Sequence, residues 1–363
     1  MTDYPKNAWY VAATSSELTT GSVISRTVCD VPMAIFRALN GTVSVLVDKC
    51  PHRLFPLSAG KVTEHGLQCG YHGLTFAPGG KCVNIPSQPE IPSTACVKSF
   101  PAREENGLVW IWPGDASAAD AAPLPSFSTG TGYLAGLDFS CLIPSETWGV
   151  AGPHRIHVEA NFMLAVDNLL DLTHTAFVHA TTFDNAGVLD SERQPKAIDD
   201  TRVIDFFGFK NAMSAPLRTG YMLDPDVAVF DNYLETYWHS PSVMILLHGA
   251  VPEGLDRESE GAIVLNTNII TPETSTTCHY FWAQSVYRNR GNGKVRDLWD
   301  MMTKGAFAED EVTLRLQQQN LQRFKAKSID DGVALVLKAD KGIVLTRRAV
   351  TRQIREEASA KSD

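Results

Sequence analysis

A chain of 363 residues is too long for one compact core and suits two domains, and 44% hydrophobic against 20% charged residues is ordinary for a globular protein. A net charge of -9 with no basic block argues against a nucleic-acid partner. No apolar run approaches the ~18 residues that span a bilayer, and Met1 to Tyr10 lack the pattern of a signal peptide, so a cytoplasmic protein without a membrane partner is expected. The seven scattered cysteines are an odd number, which argues against a disulfide framework and leaves thiols available as metal ligands.

In chain order, the first third consists of short β-like runs such as Val43 to Val47 and Leu108 to Trp112, broken by the turn pairs Gly79-Gly80 and Asn106-Gly107. This predicts a small antiparallel β domain. It ends at Pro113-Gly114, and an Ala/Asp/Pro/Ser stretch through Pro125 reads as a linker, giving domains 1–125 and 126–363. Cys141 to Glu159 reads as a loop, with His154 and His157 in it. From Glu159 to His179 apolar residues recur at helical spacing. Strand patterns return at Val203 to Phe209, Leu234 to Trp238, Val243 to Val251, Ala262 to Ile270 and Cys278 to Ser285, consistent with one antiparallel sheet. Helices are predicted over Val295 to Phe324 and about Arg347 to Ala358. The fold class is α+β.

Two mixed pairs stand out in the first domain. Cys50-Pro-His52 is followed after 16 residues by Cys69-Gly-Tyr-His72. Two such loops can clasp a two-iron cluster, thiolates on one iron and imidazoles on the other. Two Cys and two His also suit a tetrahedral zinc, although zinc pairs more often read C-x2-4-C with H-x3-5-H. Cys82 and Cys96 read as packed thiols and His65 as a surface residue. In the second domain, His174 and His179 are five residues apart. On a helix that step turns about 500°, so a shared metal requires the helix to end or bend between them. Two histidines and a carboxylate make the facial triad of non-haem iron(II). Asp310 is the candidate third ligand, with Glu309 beside it and Glu309 and Glu311 otherwise read as solvated. Asp171, three residues before His174 on a helix, is placed to orient that imidazole, and Asn168 is placed near the iron. A mostly apolar pocket is expected beneath the sheet, lined by Leu246, His248, Asn268 and Met301.

Cys50 to Arg53 and Tyr71 to Gly73 resemble the Rieske motif of ring-hydroxylating and demethylating oxygenases, with Gly70 where that family more often has proline. Asn7 to Ala12, Pro252 to Gly254, Thr271 to Thr274, Cys278 to Phe281 and the Glu309-Asp310 helix resemble oxygenase components of the vanillate and dicamba O-demethylase type. The resemblance covers essentially the whole chain. It implies a Rieske [2Fe–2S] cluster at Cys50, His52, Cys69 and His72, and a mononuclear Fe(II) at His174, His179 and Asp310. It implies an N-terminal Rieske domain, a C-terminal helix-grip (START-like) catalytic domain, and a head-to-tail homotrimer in which Asp171 bridges the iron site to the neighbour's His72. Asn268 stands where the dicamba-type enzyme has a substrate-binding histidine.

The activity implied is O2-dependent monooxygenation, by O-demethylation or hydroxylation, of a small aromatic such as a methoxybenzoate. Electrons would come from an NAD(P)H-dependent flavin/iron–sulfur reductase, with or without a ferredoxin. Ring dihydroxylation or alkyl hydroxylation on the same iron is the alternative enzyme. A plain Rieske electron carrier needs only the first third of the chain, so the His174/His179 pair argues against it.

Overall fold

The computed structural model describes residues 4–126, 139–183, 186–211, 213–287, 293–332 and 335–360. It divides into two compact units. One holds Tyr4–Leu124 with Thr271–Thr274; the other holds Pro125–Ile270 and the chain from Ser275 onward.

The N-terminal unit carries three small sheets. Strands β1 (Tyr10–Thr14), β11 (Leu108–Ile111) and β10 (Ala102–Glu105) form one; β2 (Val23–Val28), β3 (Val31–Arg37), β4 (Val43–Val47) and β9 (Ser99–Phe100) form the second. The third runs β5 (Lys61–Thr63), β6 (Gly66–Gln68), β7 (Thr75–Phe76) and β8 (Cys82–Asn84), and a short helix α1 (Ala116–Ala119) follows the sheets in the chain. The third sheet carries one of the cysteine–histidine loops. Its core joins Leu57, Leu67 and Phe76 to Cys50, Cys69 and Cys82, so both candidate thiol ligands rest on packed apolar side chains. Cys82 is buried and His65 exposed, as their neighbours suggest, but Cys96 is an exposed thiol and not a packed one.

The C-terminal unit is built on an eight-stranded sheet. Its strands are β12 (Trp148–Val158), β13 (Glu192–Arg193), β14 (Lys196–Ala197), β15 (Arg202–Asn211), β16 (Phe230–His239), β17 (Val243–Pro252), β18 (Ala262–Thr274) and β19 (Thr277–Tyr287). The order is β12-β19-β18-β17-β16-β15-β13, with β14 also on β15. The long strands run up to four residues beyond the expected ends, through polar residues and prolines such as Arg202, Asp231 and Pro272 that carry no strand signal of their own. The stretch read as a loop from Cys141 is instead largely β12, paired to β19. Gly149, Gly152 and Pro153 hide its alternation, and a register shift between Ala151 and His154 absorbs the Gly152-Pro153 pair.

Helices α2 (Phe162–Leu170), α3 (Ala215–Gly220), α4 (Arg257–Glu260), α5 (Gly293–Arg323) and α6 (Lys341–Ser359) complete the unit. Trp299 and Met302 of α5 bury against Leu217, Phe230, Ala250 and Val264, which fixes the helix over the sheet. Among the described residues no helix is long and apolar enough to cross a membrane.

Candidate metal centres and substrate cavity

The two cysteine–histidine loops have the same backbone plan. Cys50 N–H donates to the Phe55 carbonyl at 2.9 Å and Leu54 N–H returns to the Cys50 carbonyl at 2.9 Å. Cys69 N–H donates to the Leu74 carbonyl at 2.8 Å and Gly73 N–H returns to the Cys69 carbonyl at 3.1 Å. The fourth residue after each cysteine is left-handed, Leu54 at φ 57° and Gly73 at φ 75°. Both thiols are buried, while His52 and His72 are exposed with ring centroids 4.4 Å apart. The Cys50 thiol is pushed up by burial, with the neighbouring Cys69 adding to the shift against hydrogen bonds from the His52 and Arg53 backbone. A single zinc would need its donors gathered within about 4 Å of one another. Among the described residues, these four donors do not form a group gathered closely enough for one ion, as His174, His179 and Asp310 do. A two-iron cluster, with thiols inside and imidazoles outside, fits them; one tetrahedral ion does not.

In the C-terminal unit, α2 stops at Leu170. Asp171 leaves the helical range at φ -108° and ψ 86°, and a 3₁₀ turn follows over Leu172–Ala176. The α-helix therefore ends before both histidines, and the 3₁₀ turn that carries His174 ends at Ala176, between them as the spacing required. Asp171 does not orient His174 through its carboxylate: that group caps the new turn, accepting from Thr173 N at 3.1 Å and Thr173 Oγ1 at 2.7 Å. The helical i, i+3 argument lapses where the helix has ended. The Asp171 carbonyl takes over and accepts from His174 Nδ1 at 2.5 Å.

His179 is held in the same way by another residue. Its Nδ1 donates to Glu309 Oε2 at 2.6 Å, and Thr182 Oγ1 donates to Glu309 Oε1 at 3.0 Å. Glu309 is thus not a merely solvated residue. With each Nδ1–H engaged, Nε2 is the nitrogen of each ring left to bind a metal. Both face Asp310 Oδ1, at 3.5 Å from His174 and 3.3 Å from His179. All three ligand atoms lie within 4.8 Å of one another. Asn168 Nδ2 donates to the same Asp310 oxygen at 3.0 Å.

Asp310 is 3% exposed and, among the described residues, meets no lysine or arginine. A carboxylate buried without a cation is costly. Burial pushes the His179 imidazole toward its neutral form, but Asp310 and then Glu309 outweigh this and raise its pKa. The pocket draws positive charge, and a divalent iron suits this donor set. Glu311 pairs with Arg315 at 3.2 Å on the outer face, as a solvated residue should.

The three donors form part of the wall of a cavity of about 100 Å³. Its floor comes from one face of the sheet. Leu234 lies opposite His248, Leu246 opposite Asn266, and Met244 opposite Asn268, so alternate residues of β16, β17 and β18 face it. Leu246, His248 and Asn268 are there, as expected. Met301 is not: it is 63% exposed. The inward stripe of α5 is Trp299, Thr303, Ala306, Phe307 and Asp310. Two residues from Trp299 is about 200° around the helix, on the solvent side. Asn232, Tyr221 and Trp299 also line the cavity. Asn232 was detectable, since it lies two residues before Leu234 in the same strand; Tyr221, at the end of a short helix, was not.

Comparison with known proteins agrees with this geometry. Residues 8–101 match the Rieske [2Fe-2S] domain, and residues 158–356 match the vanillate O-demethylase oxygenase C-terminal domain. The chain belongs to the Rieske non-haem iron oxygenases. Dicamba O-demethylase, oxygenase component, of Stenotrophomonas maltophilia is 32% identical over 98% of this chain and 99% of that protein. The structure of dicamba monooxygenase bound to 3,6-dichlorosalicylic acid superposes with a TM-score of 0.86 at 30% identity, covering 97% of this chain and 98% of that one. Dicamba monooxygenase with non-heme iron and dicamba gives 0.74 at 28% identity over 99% of each chain. A Rieske oxygenase of this type uses a [2Fe–2S] cluster and a mononuclear iron, and it works as the oxygenase component of a multicomponent system that needs a reductase.

Proposed function

We propose that this oxygenase demethylates or hydroxylates a small aromatic molecule in the cavity, with iron held by His174, His179 and Asp310 and the cluster held by Cys50, His52, Cys69 and His72. The observation that carries the reading is that the three buried donors are themselves cavity wall. When bound, the iron supplies a site for O2 reduction and the cluster supplies single electrons to it. For an aryl methyl ether the balance is ether, O2, two electrons and two protons in; phenol, formaldehyde and water out. The protein's part is positional. Asn168, Glu309 and the Asp171 carbonyl fix the three donors, and Leu169, Leu172, Leu234 and Leu246 line the wall with apolar surface that excludes water.

Electrons are proposed to come from an NAD(P)H-dependent flavin/iron–sulfur reductase, directly or through a ferredoxin, in a cytoplasmic homotrimer. His174, Asn168 and Asp171 also border a second, open cleft of about 1560 Å³, which supports an approach to the iron from that side. Asp171 would link His174 to the neighbour's His72. The domain boundary is taken at 125/126. Formaldehyde release from methoxylated aromatics, with reductase present, tests the activity; its absence across the panel counts against demethylation. Asp171→Asn should retain both metals and slow electron transfer. Mixed trimers of Cys69→Ala and His174→Ala should regain activity, and silence in verified mixtures would reject transfer between subunits.

A further inference from the structure

The polar groups of the cavity are specific in what they offer. Asn268, the expected anchor, is held at both ends by the protein. Its Oδ1 accepts from Tyr280 OH at 2.8 Å and its Nδ2 donates to the Asn266 carbonyl at 3.1 Å. His248 is different. Its Nδ1 meets Tyr221 OH at 2.8 Å. That hydroxyl has no other hydrogen-bond partner among the described residues; the assignment that gives its proton an acceptor places it toward Nδ1 and leaves the ring's own proton on Nε2. Trp299 packs on the ring at 4.6 Å and keeps it in place. Burial, with no carboxylate beside it, pushes this imidazole down to about 3, so it stays neutral. Nε2–H has no acceptor among the described residues.

Asn232 supplies the complement. Its Nδ2 donates to the Phe230 carbonyl at 3.1 Å and to Asn211 Oδ1 at 2.7 Å. A backbone carbonyl only accepts, so the amide orientation is set and Oδ1 remains as an acceptor without a partner among the described residues. Asn232 sits diagonally across from His248, because Leu234 is opposite His248 and Asn232 is opposite Ala250. Diagonal neighbours of this kind are roughly 7 Å apart, a span that one substituent on a ring can bridge. Among the described residues no lysine or arginine lines the cavity, and Asp310 already places a carboxylate in its wall. A second anion would be desolvated with nothing to compensate it. The volume of about 100 Å³ is smaller than the ~150 Å³ cavity that admits benzene, which limits the occupant to a single ring.

Resting on the reading of this cavity as the substrate site, we propose that the substrate is an uncharged single-ring aromatic whose substituent accepts from His248 Nε2–H and donates to Asn232 Oδ1. A primary or secondary carboxamide has both groups; the methoxybenzoate suggested by resemblance has an anion and no donor.

The test is calorimetric binding to the oxidised holoenzyme without reductase at neutral pH. The probes are the three methoxybenzamides, their N,N-dimethyl analogues and the three methoxybenzoates. At least one primary amide should bind, and its benzoate should bind at least about tenfold more weakly, since a buried anion without a partner is disfavoured by that much or more. The dimethyl analogue should also lose affinity, and Asn232→Val should remove that difference. His248→Phe should weaken the amide, because the donor to its carbonyl is lost. A benzoate that matches its amide in the wild-type protein, or an absence of amide binding, overturns the proposal without recourse to any variant. Formaldehyde assays on the same panel separate this inference from the one beneath it. Efficient turnover of benzoates keeps demethylation and removes the uncharged substrate. Tight amide binding with no turnover of any probe does the reverse.

Discussion

In the N-terminal unit four donors sit on two short loops, each closed by its own backbone hydrogen bonds, with the imidazoles outside and the thiols buried. In the C-terminal unit three donors come from positions up to 136 residues apart in sequence, His174 to Asp310; His179 and Asp310 are aimed by side chains of another element, and His174 by the carbonyl that caps its own turn. The first arrangement is local and tolerates little change in backbone. The second depends on packing, and its aiming groups can be removed one at a time. The difference separates two kinds of metal holding: one written in a motif, the other assembled by the fold.

The largest effects should come from the donors and should respect the division. Cys69→Ala is expected to abolish the Rieske EPR signal and all turnover while the C-terminal site still binds iron. His174→Ala should leave that signal intact and lose the mononuclear iron. Iron analysis should fall from about three atoms per chain to about one in the first variant and about two in the second. A variant that empties both centres would break the comparison.

Next come the aiming groups. Glu309→Gln removes the carboxylate that accepts from His179, and iron affinity should drop about 10- to 100-fold with the cluster unaffected, read by competition with a chelator. Asp310→Ala should lose iron outright. If Glu309→Gln loses it and Asp310→Ala keeps it, the neighbour has been misassigned.

A pH effect should follow from the buried imidazole of the C-terminal cavity. His248 is held near pKa 3 when folded and returns to about 6.5 when unfolded. Below pH 6.5 the unfolded chain takes up a proton that the native one refuses, so stability falls as pH drops toward 3. The upper bound is roughly 4–5 kcal/mol. His248→Gln should flatten the acid limb of the stability curve, measured by denaturant unfolding; an unchanged difference between pH 7 and pH 4 would refute this. The smallest effect is expected in the loop. Leu54 is left-handed where the matching position is Gly73, so Leu54→Gly should stabilise the unit by about 1 kcal/mol, seen as a shift in cluster bleaching with denaturant.

The sheet, the long helices and both metal-binding regions were legible without coordinates, because period-two and period-3.6 patterns and tight Cys–His spacings are local properties. Val43 to Val47 matches β4 to the residue, and the late helix was placed to within two residues at either end. β12 was missed because Gly152-Pro153 breaks its alternation, although β19 pairs with it on both sides of the break. Met301 and Met302 differ by one step along the chain and by about 100° around the helix, and only packing tells which faces inward.

By itself the sequence determined which residue types could hold iron and roughly which elements carry them, since ligand chemistry and hydrophobic period are written in adjacent residues. Tertiary structure decided which donor each imidazole nitrogen meets. It turned Asp171 from a carboxylate that orients His174 into a carbonyl that does so, and it made Glu309 the anchor of His179. It also engaged both ends of the Asn268 amide within the protein and left a nitrogen of His248 and the Oδ1 of Asn232 open to a ligand. A hydrogen bond depends on distances of about 3 Å between groups that can be more than a hundred residues apart, and no local pattern encodes those.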